Sequence, residues 1–282
     1  MTTSTSKDSS CFENNEFFSH ERKGGIIVLL RKGPFLDAAA KIAEDPEKFL
    51  DDAEIVKDSR TTKAGIIILG DGRKLFLKRY NTKGLRYALR YMFRKARPFR
   101  AWQNSWECEQ RGMPVPRPVM AMVVRKAGII GRSYLAVEHV DAIPTLEFCS
   151  VIMSDPGRKR ICVETVCKMF ADLHDAGIVH GDAKFSNIFV KRKGFGYTYG
   201  LWDLDAMTCG RTSAAADDRT IELARIASSL VEISVRLGKP LDLKSESDLF
   251  ISQYERLAGV ELDRTLFTLT AKRLLSRKTK GA

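Results

Sequence analysis

One stretch constrains this chain more than any other: Val179-His180-Gly181-Asp182-Ala183-Lys184-Phe185-Ser186-Asn187-Ile188-Phe189-Val190. It is followed by Gly200-Leu201-Trp202-Asp203-Leu204-Asp205. The first run predicts a helix end, a polar loop and a short buried strand. The second predicts another short strand with an acid at its end. Asp182, Lys184 and Asn187 crowd into the single loop. A polar turn with Asp182 as a local cap needs only one of these groups. The joint presence of a carboxylate, a cation, an amide and a second carboxylate at set spacing points instead to chemistry on a phosphoryl group.

The spacing His180, Asp182, Lys184, Asn187 meets the pattern H-x-D-x-K-x-x-N of a kinase catalytic loop. In such loops the Asp orients the acceptor hydroxyl and the Lys neutralises the transferring group. The Asn and a second Asp hold Mg²⁺. Asp182 and Lys184 are therefore the expected catalytic residues, and Asn187 and Asp203 the expected metal ligands.

The 282 residues suit one large or two small domains. The longest apolar run, residues 24–30, is strand-sized, and nothing approaches the length that spans a bilayer. The N-terminus is polar and lacks the basic-then-apolar order of a secretory signal, so a cytoplasmic protein is expected. The six cysteines form no C-x-x-C pair and have no histidines at zinc spacing, and are read as reduced packing residues. A formal charge of +12 implies an anionic partner.

Residues 1–20 are Ser/Thr-rich and are expected to be disordered. Residues 24–30 predict a strand, and 36–43 and 46–53 short helices. Residues 53–57, 65–69 and 74–80 predict strands, the last two joined by Gly70-Asp71-Gly72-Arg73. This is the strand order of a kinase small lobe. It places Lys78 on the third strand, where the lysine that binds the α- and β-phosphates resides. No glycine-rich phosphate lid is present, and residues 59–65 have to serve.

Residues 78–100 contain nine Lys or Arg and no acid. Helical spacing over 85–96 lines up Arg86, Arg90, Arg94 and Arg97, a one-signed stripe suited to lipid phosphate headgroups and also to nucleic acid. Pro98 opens a second helix ending near Gly112, with Glu107 or Glu109 as the partner of Lys78. Residues 112–118 form a stiff connector. Strands over 119–125 and 134–140 follow, the second running into a hinge where backbone groups near Glu138, His139 and Val140 meet adenine. Helices are predicted over 145–151, 159–176, 220–237, 250–257 and 262–275. Asp217 or Asp218 either braces the catalytic loop or caps a helix. The resulting expectation is an α+β, two-lobed protein-kinase-like fold. A small antiparallel-sheet N-lobe covers residues 21–141, and a mostly helical C-lobe covers residues 142–282.

With these residues the chain resembles the lipopolysaccharide core kinase family, the bacterial Kdo/heptose kinases, over roughly residues 55–240. The resemblance rests on residues 77–81 and 111–118, on the loop 180–187, and on residues 202–206. It implies an enzyme that uses ATP and Mg²⁺ to phosphorylate a sugar hydroxyl of the glycolipid core. It further implies peripheral attachment to the anionic inner face of the bacterial inner membrane, with no nucleic acid partner. The chain departs from the protein-kinase pattern in lacking G-x-G-x-x-G and in carrying Asp203-Leu204-Asp205 where D-F-G stands. The latter leaves open a metal contact by Asp205. Two other classes compete. A small-molecule kinase of the aminoglycoside or choline kinase type is opposed by the charge of +12. A membrane-associated pseudokinase is opposed by the intact Lys78, Asp182, Asn187 and Asp203.

Overall fold

The computed structural model describes residues 10–82, 95–126, 129–194, 196–210 and 212–279. The expected basic helix, with Arg86, Arg90 and Arg94, lies outside the described residues but for its last two. The chain divides into two compact units, Met1–Val140 and Asp141–Ala282.

The first unit is built on one antiparallel sheet. Its strands are β1 (Phe18–Lys23), β2 (Ile26–Arg31), β3 (Glu54–Ser59), β4 (Thr62–Ile68), β5 (Lys74–Tyr80), β6 (Pro118–Lys126) and β7 (Ile129–Glu138). They lie in the order β1-β2-β6-β7-β5-β4-β3. The β4–β5 hairpin closes at Gly72, whose φ of 81° suits glycine. Helices α1 (Leu36–Glu44) and α2 (Pro46–Asp51) cover one face. Asp45 starts α2 by accepting the Lys48 N–H at 3.2 Å, with Pro46 in the first turn. Ile42, Leu50, Leu75, Leu77 and Met120 are fully buried on this side. Burial of each such side chain stabilises the fold by about 1.5–3 kcal/mol. Helix α3 (Arg97–Gln110) covers the opposite face, with Phe18, Leu29, Tyr80 and Trp102 in its core. The two-residue period of β5 sends Leu75 and Leu77 to the α1–α2 face, and Lys78 with Tyr80 to the α3 face.

The expected disorder over residues 1–20 fails for its second half; residues 1–9 lie outside the described residues. Residues 10–12 form a short 3-10 turn, and Phe18 begins β1. Trp102 Nε1 donates to the fully buried Cys11 carbonyl at 2.8 Å. Phe18 packs edge-on to Trp102 and Trp106, with ring centroids 5.4 and 5.0 Å away. A polar average composition hid Cys11, Phe12 and Phe18, which bury enough apolar surface to order the segment.

The second unit is mainly helical. It contains α4 (Thr145–Met153), α5 (Pro156–Asp175), α6 (Ala216–Arg236), α7 (Leu243–Ala258) and α8 (Arg264–Thr279). Strands β8 (Ile178–Val179), β9 (Ile188–Lys193), β10 (Gly196–Leu201) and β11 (Thr208–Cys209) form two small ladders, β9 with β10 and β8 with β11. Helices α5 and α7 start earlier than apolar spacing predicts, because Asp155 and Asp242 accept backbone N–H groups of the first turns.

Candidate active site

The loop from β8 to β9 is held from beneath by one face of α6. Glu222, Arg225 and Ser229 follow one another at i, i+3 and i+7, so all three project to the same side of the helix. Glu222 is buried, and its carboxylate accepts the backbone N–H of His180 at 2.8 Å and of Gly181 at 2.6 Å. Ser229 Oγ accepts the Phe185 N–H at 2.8 Å. Arg225 Nη2 donates to Asp182 Oδ1 at 2.6 Å. Gly181 has φ 77°, and a Cβ there would stand 2.5 Å from the Ala206 carbonyl oxygen. Glycine is therefore required for this close approach.

Three of the expected site residues meet around one carboxylate. Asp182 Oδ2 accepts from Lys184 Nζ at 2.9 Å and from Asn187 Nδ2 at 3.2 Å. Asn187 Nδ2 also donates to the Asp182 carbonyl at 2.9 Å. Burial alone would raise the Asp182 carboxyl, but Lys184 and Arg225 outweigh it and hold the group below the usual carboxylate range. The fully buried His180 ring accepts the Asp182 N–H at Nδ1, 3.3 Å away. Its Nε2 accordingly carries the proton and donates to the Trp202 carbonyl at 3.2 Å.

Asp203 is brought to the same place by the β9–β10 hairpin. Ile188 pairs with Leu201, and the Trp202 N–H donates to the Asn187 carbonyl at 3.1 Å. Asn187 and Asp203 therefore share one end of the hairpin. Asp203 is left-handed (φ 62°, ψ 48°), the single non-glycine residue with positive φ among the described residues. Such backbone outliers cluster at functional positions. Asp205 is buried in the 3-10 turn Leu204–Ala206 that follows.

The donor set suits a magnesium ion bound together with phosphates. Among the described residues no three His, Cys, Asp or Glu side chains form a metal cluster. Mg²⁺ commonly takes one or two protein oxygens and completes its shell with water and phosphate. The Asn187 amide nitrogen is occupied by Asp182, which turns its oxygen away as a ligand atom. Asp203 is the carboxylate that such an ion would take.

A buried relay stands behind Glu222. Arg219 Nη1 donates to the Tyr254 hydroxyl at 3.0 Å, and Tyr254 lies 2.7 Å from His174 Nδ1. His174 Nε2 lies 3.3 Å from Glu222 Oε2. A carboxylate only accepts, so the proton sits on Nε2 and the Tyr254 hydroxyl donates to Nδ1. Burial pushes the Tyr254 hydroxyl up to about 12.

The bracing acid differs from the one expected. Asp217 and Asp218 are exposed in the first turn of α6, and Glu222 holds the loop. The available signal was a pair of charged residues, Glu222 and Arg225, inside a strongly apolar period where buried neighbours were predicted.

The remaining expected residues lie in the first unit. Lys78 Nζ is 5.0 Å from the Tyr80 ring centroid. Glu109 pairs with Arg31 through two bonds of 2.7 and 2.8 Å, and with Arg117 at 3.2 Å. Glu107 is buried and pairs with Arg111. Glu138 ends β7, its N–H donating to the Arg117 carbonyl at 2.8 Å, and the His139 N–H donates to the Lys74 carbonyl at 3.2 Å. Burial raises the Glu138 carboxyl, with Arg117 and Arg31 opposing.

The sequence model of the lipopolysaccharide kinase (Kdo/WaaP) family matches residues 42–247, more than half of the chain. No curated protein sequence matches the chain. The chain is similar to the solved structure of WaaP in complex with acyl carrier protein. The identity is 17%, over 89% of this chain and 98% of that one, with a TM-score of 0.61. It is also similar to the Rio2 kinase–ADP/Mg²⁺–phosphoaspartate complex from Chaetomium thermophilum. There the identity is 12%, over 95% and 83% of the two chains, with a TM-score of 0.43. The first likeness shows a shared fold, the protein-kinase-like α+β architecture.

Proposed function

The chain belongs to the lipopolysaccharide kinase (Kdo/WaaP) family, and from that premise we propose a specific acceptor and site. The enzyme is a phosphotransferase acting on lipopolysaccharide core. In our reading it phosphorylates a hydroxyl of an inner-core sugar, Kdo or heptose, at the cytoplasmic face of the inner membrane.

ATP with Mg²⁺ supplies the phosphoryl group and part of its charge compensation. Asp182 orients the acceptor hydroxyl. Arg225 takes one lone-pair site of its Oδ1 and leaves the other for that hydroxyl. The reaction is loose and proton loss late, so position matters more than basicity. Lys184, at 2.9 Å from Asp182, neutralises the transferring group, and Lys78 neutralises the nucleotide phosphates. Asn187 and Asp203 would hold the Mg²⁺. Glu138 and His139 spend their N–H groups within the first unit, so the hinge donor to adenine is Val140, with Glu138 beside it.

The observation that carries this reading is the meeting of Lys184, Asn187 and Arg225 on the Asp182 carboxylate, with Asp203 at the adjoining hairpin end. A charge of +12 supports peripheral binding to an anionic bilayer. Among the described residues no helix is long and apolar enough to cross one. Because WaaP was solved with acyl carrier protein, we add that protein as a candidate partner, to be tested by co-purification.

The test is phosphate transfer from ATP with Mg²⁺, with and without core lipopolysaccharide extract, on wild type and Asp182→Ala. Extract-dependent transfer that vanishes in the variant supports the reading. Transfer to an aminoglycoside or choline instead moves the protein to the small-molecule class. Nucleotide binding without transfer to any acceptor makes it a pseudokinase.

A further inference from the structure

The strand order β6-β7-β5-β4-β3 puts the β3–β4 turn, residues 59–62, where a kinase small lobe carries its phosphate lid. This turn, Ser59-Arg60-Thr61-Thr62, contains no glycine. A glycine-rich lid works because its backbone adapts closely to phosphate. A turn without that freedom has to hold its shape before the ligand arrives.

The turn is held in this way by Asn81, the residue directly after β5 and three past Lys78. The Asn81 N–H donates to the Thr61 carbonyl at 3.1 Å. Its side-chain amide donates to the carbonyls of Ser59 at 3.2 Å and Arg60 at 3.3 Å. From inside the turn, Ser59 Oγ accepts the Thr62 N–H at 3.2 Å and donates to the Thr62 carbonyl at 3.0 Å.

The amide of Asn81 is fixed in its turn. Its Oδ1 accepts from Arg79 Nε at 2.9 Å. Arg79 Nη1 donates to Glu47 Oε2 at 2.5 Å, and Glu47 Oε1 accepts the Tyr134 hydroxyl at 2.6 Å. A guanidinium only donates and the two carbonyls only accept, so the amide has one orientation. Arg79 and Asn81 alternate with Lys78 along the chain. β5 thus sends Lys78 toward α3 and Arg79 toward Glu47 of α2, and Asn81 follows at its end.

We propose that Asn81 is the positioning residue of the turn at 59–62, holding it preformed for phosphate through its own lock on Arg79 and Glu47. This inference rests on the kinase reading above. Arg60, exposed at the corner, and the Thr61 hydroxyl are the groups offered to the phosphates.

The experiment is calorimetric titration of the full chain with Mg-ATP and, separately, with adenosine. Asn81→Ala weakens ATP binding about tenfold, the worth of one or two lost hydrogen bonds, and leaves adenosine binding within about twofold. Asn81→Asp keeps an acceptor for Arg79 but has no donor for the two carbonyls, so it loses ATP affinity as well. Unchanged ATP affinity in Asn81→Ala overturns the proposal. So does an equal loss for ATP and adenosine, which is the mark of general disruption. Wild-type ATP affinity in Asn81→Asp also overturns it, since only the bond to Arg79 would then matter. A wild-type chain that binds no ATP refutes the kinase reading itself. An ATP-binding wild type with unaffected variants refutes the positioning role alone.

Discussion

Replacing Glu222 with Gln tests how the catalytic loop is held. The side chain is buried, and its two oxygens receive the N–H groups of His180 and Gly181 at 2.8 and 2.6 Å. Gln keeps the shape but exchanges one oxygen for an NH₂ group. In the less harmful orientation the NH₂ replaces Oε1 and meets the Gly181 N–H, donor against donor. The lost charge-assisted bond costs about 1.5–3 kcal/mol, and a buried unsatisfied donor adds about 1–3 kcal/mol. A total of about 2.5–6 kcal/mol lowers the urea midpoint of the second unit by roughly 1–3 M. Asp182 follows Gly181 directly, and displacing a reacting group by an ångström costs about 100-fold in rate. Phosphate transfer to core extract should therefore fall by about two orders of magnitude. Asp217→Asn and Asp218→Asn, both at exposed positions, should stay within about 0.5 kcal/mol and keep full activity. A Glu222→Gln protein with wild-type midpoint and rate would refute the bracing role. Greater damage from Asp217→Asn would return that role to the helix start.

Other outcomes follow from the same geometry. Asp203→Asn keeps a residue type that tolerates φ 62° while removing the charge; Mg²⁺-dependent transfer should fall more than about 100-fold with an unchanged melting temperature, and a wild-type rate would remove Asp203 from the metal site. Burial pushes the Glu47 carboxyl up, but Tyr134 and Arg79 outweigh it and hold it below its ordinary value of 4.5. Its stabilisation is complete above that value and is lost as pH falls through the lowered folded-state value, so Glu47→Gln should flatten the acid limb of stability measured by urea melts from pH 6 to pH 3; an unchanged limb refutes this. Trp102→Phe removes the bond to the Cys11 carbonyl and leaves a void, and should cost about 2 kcal/mol in urea unfolding. A cost near zero would mean that residues 10–12 do not anchor α3.

Local chemistry carried much of this protein's organisation into its sequence. The loop 180–187 was legible because Asp182, Lys184 and Asn187 lie within six residues of one another, and short spacing leaves few geometries open. The β4–β5 hairpin was legible from its glycine turn, and Lys78 from its place on the returning strand. The start of α5 was missed because its cap, Asp155, precedes the apolar period by several residues. The order of residues 10–20 was missed because composition averages over a segment, while burial is decided by single aromatic side chains.

By itself, then, the sequence determined the crowding of polar groups in the loop, the β4–β5 hairpin and the family, since each is carried by short stretches of chain. Only the tertiary structure decided what holds those groups in place. Glu222 and Arg225 reach the loop from about 40 residues away, and their use depends on the rotation of α6 against it. Asn81 reaches the Ser59 turn through the register of β4 with β5. Charged side chains on a buried helix face, and a polar amide beyond a strand's end, satisfy partners chosen by packing. Packing is a property of the folded whole, and no local pattern in the chain encodes it.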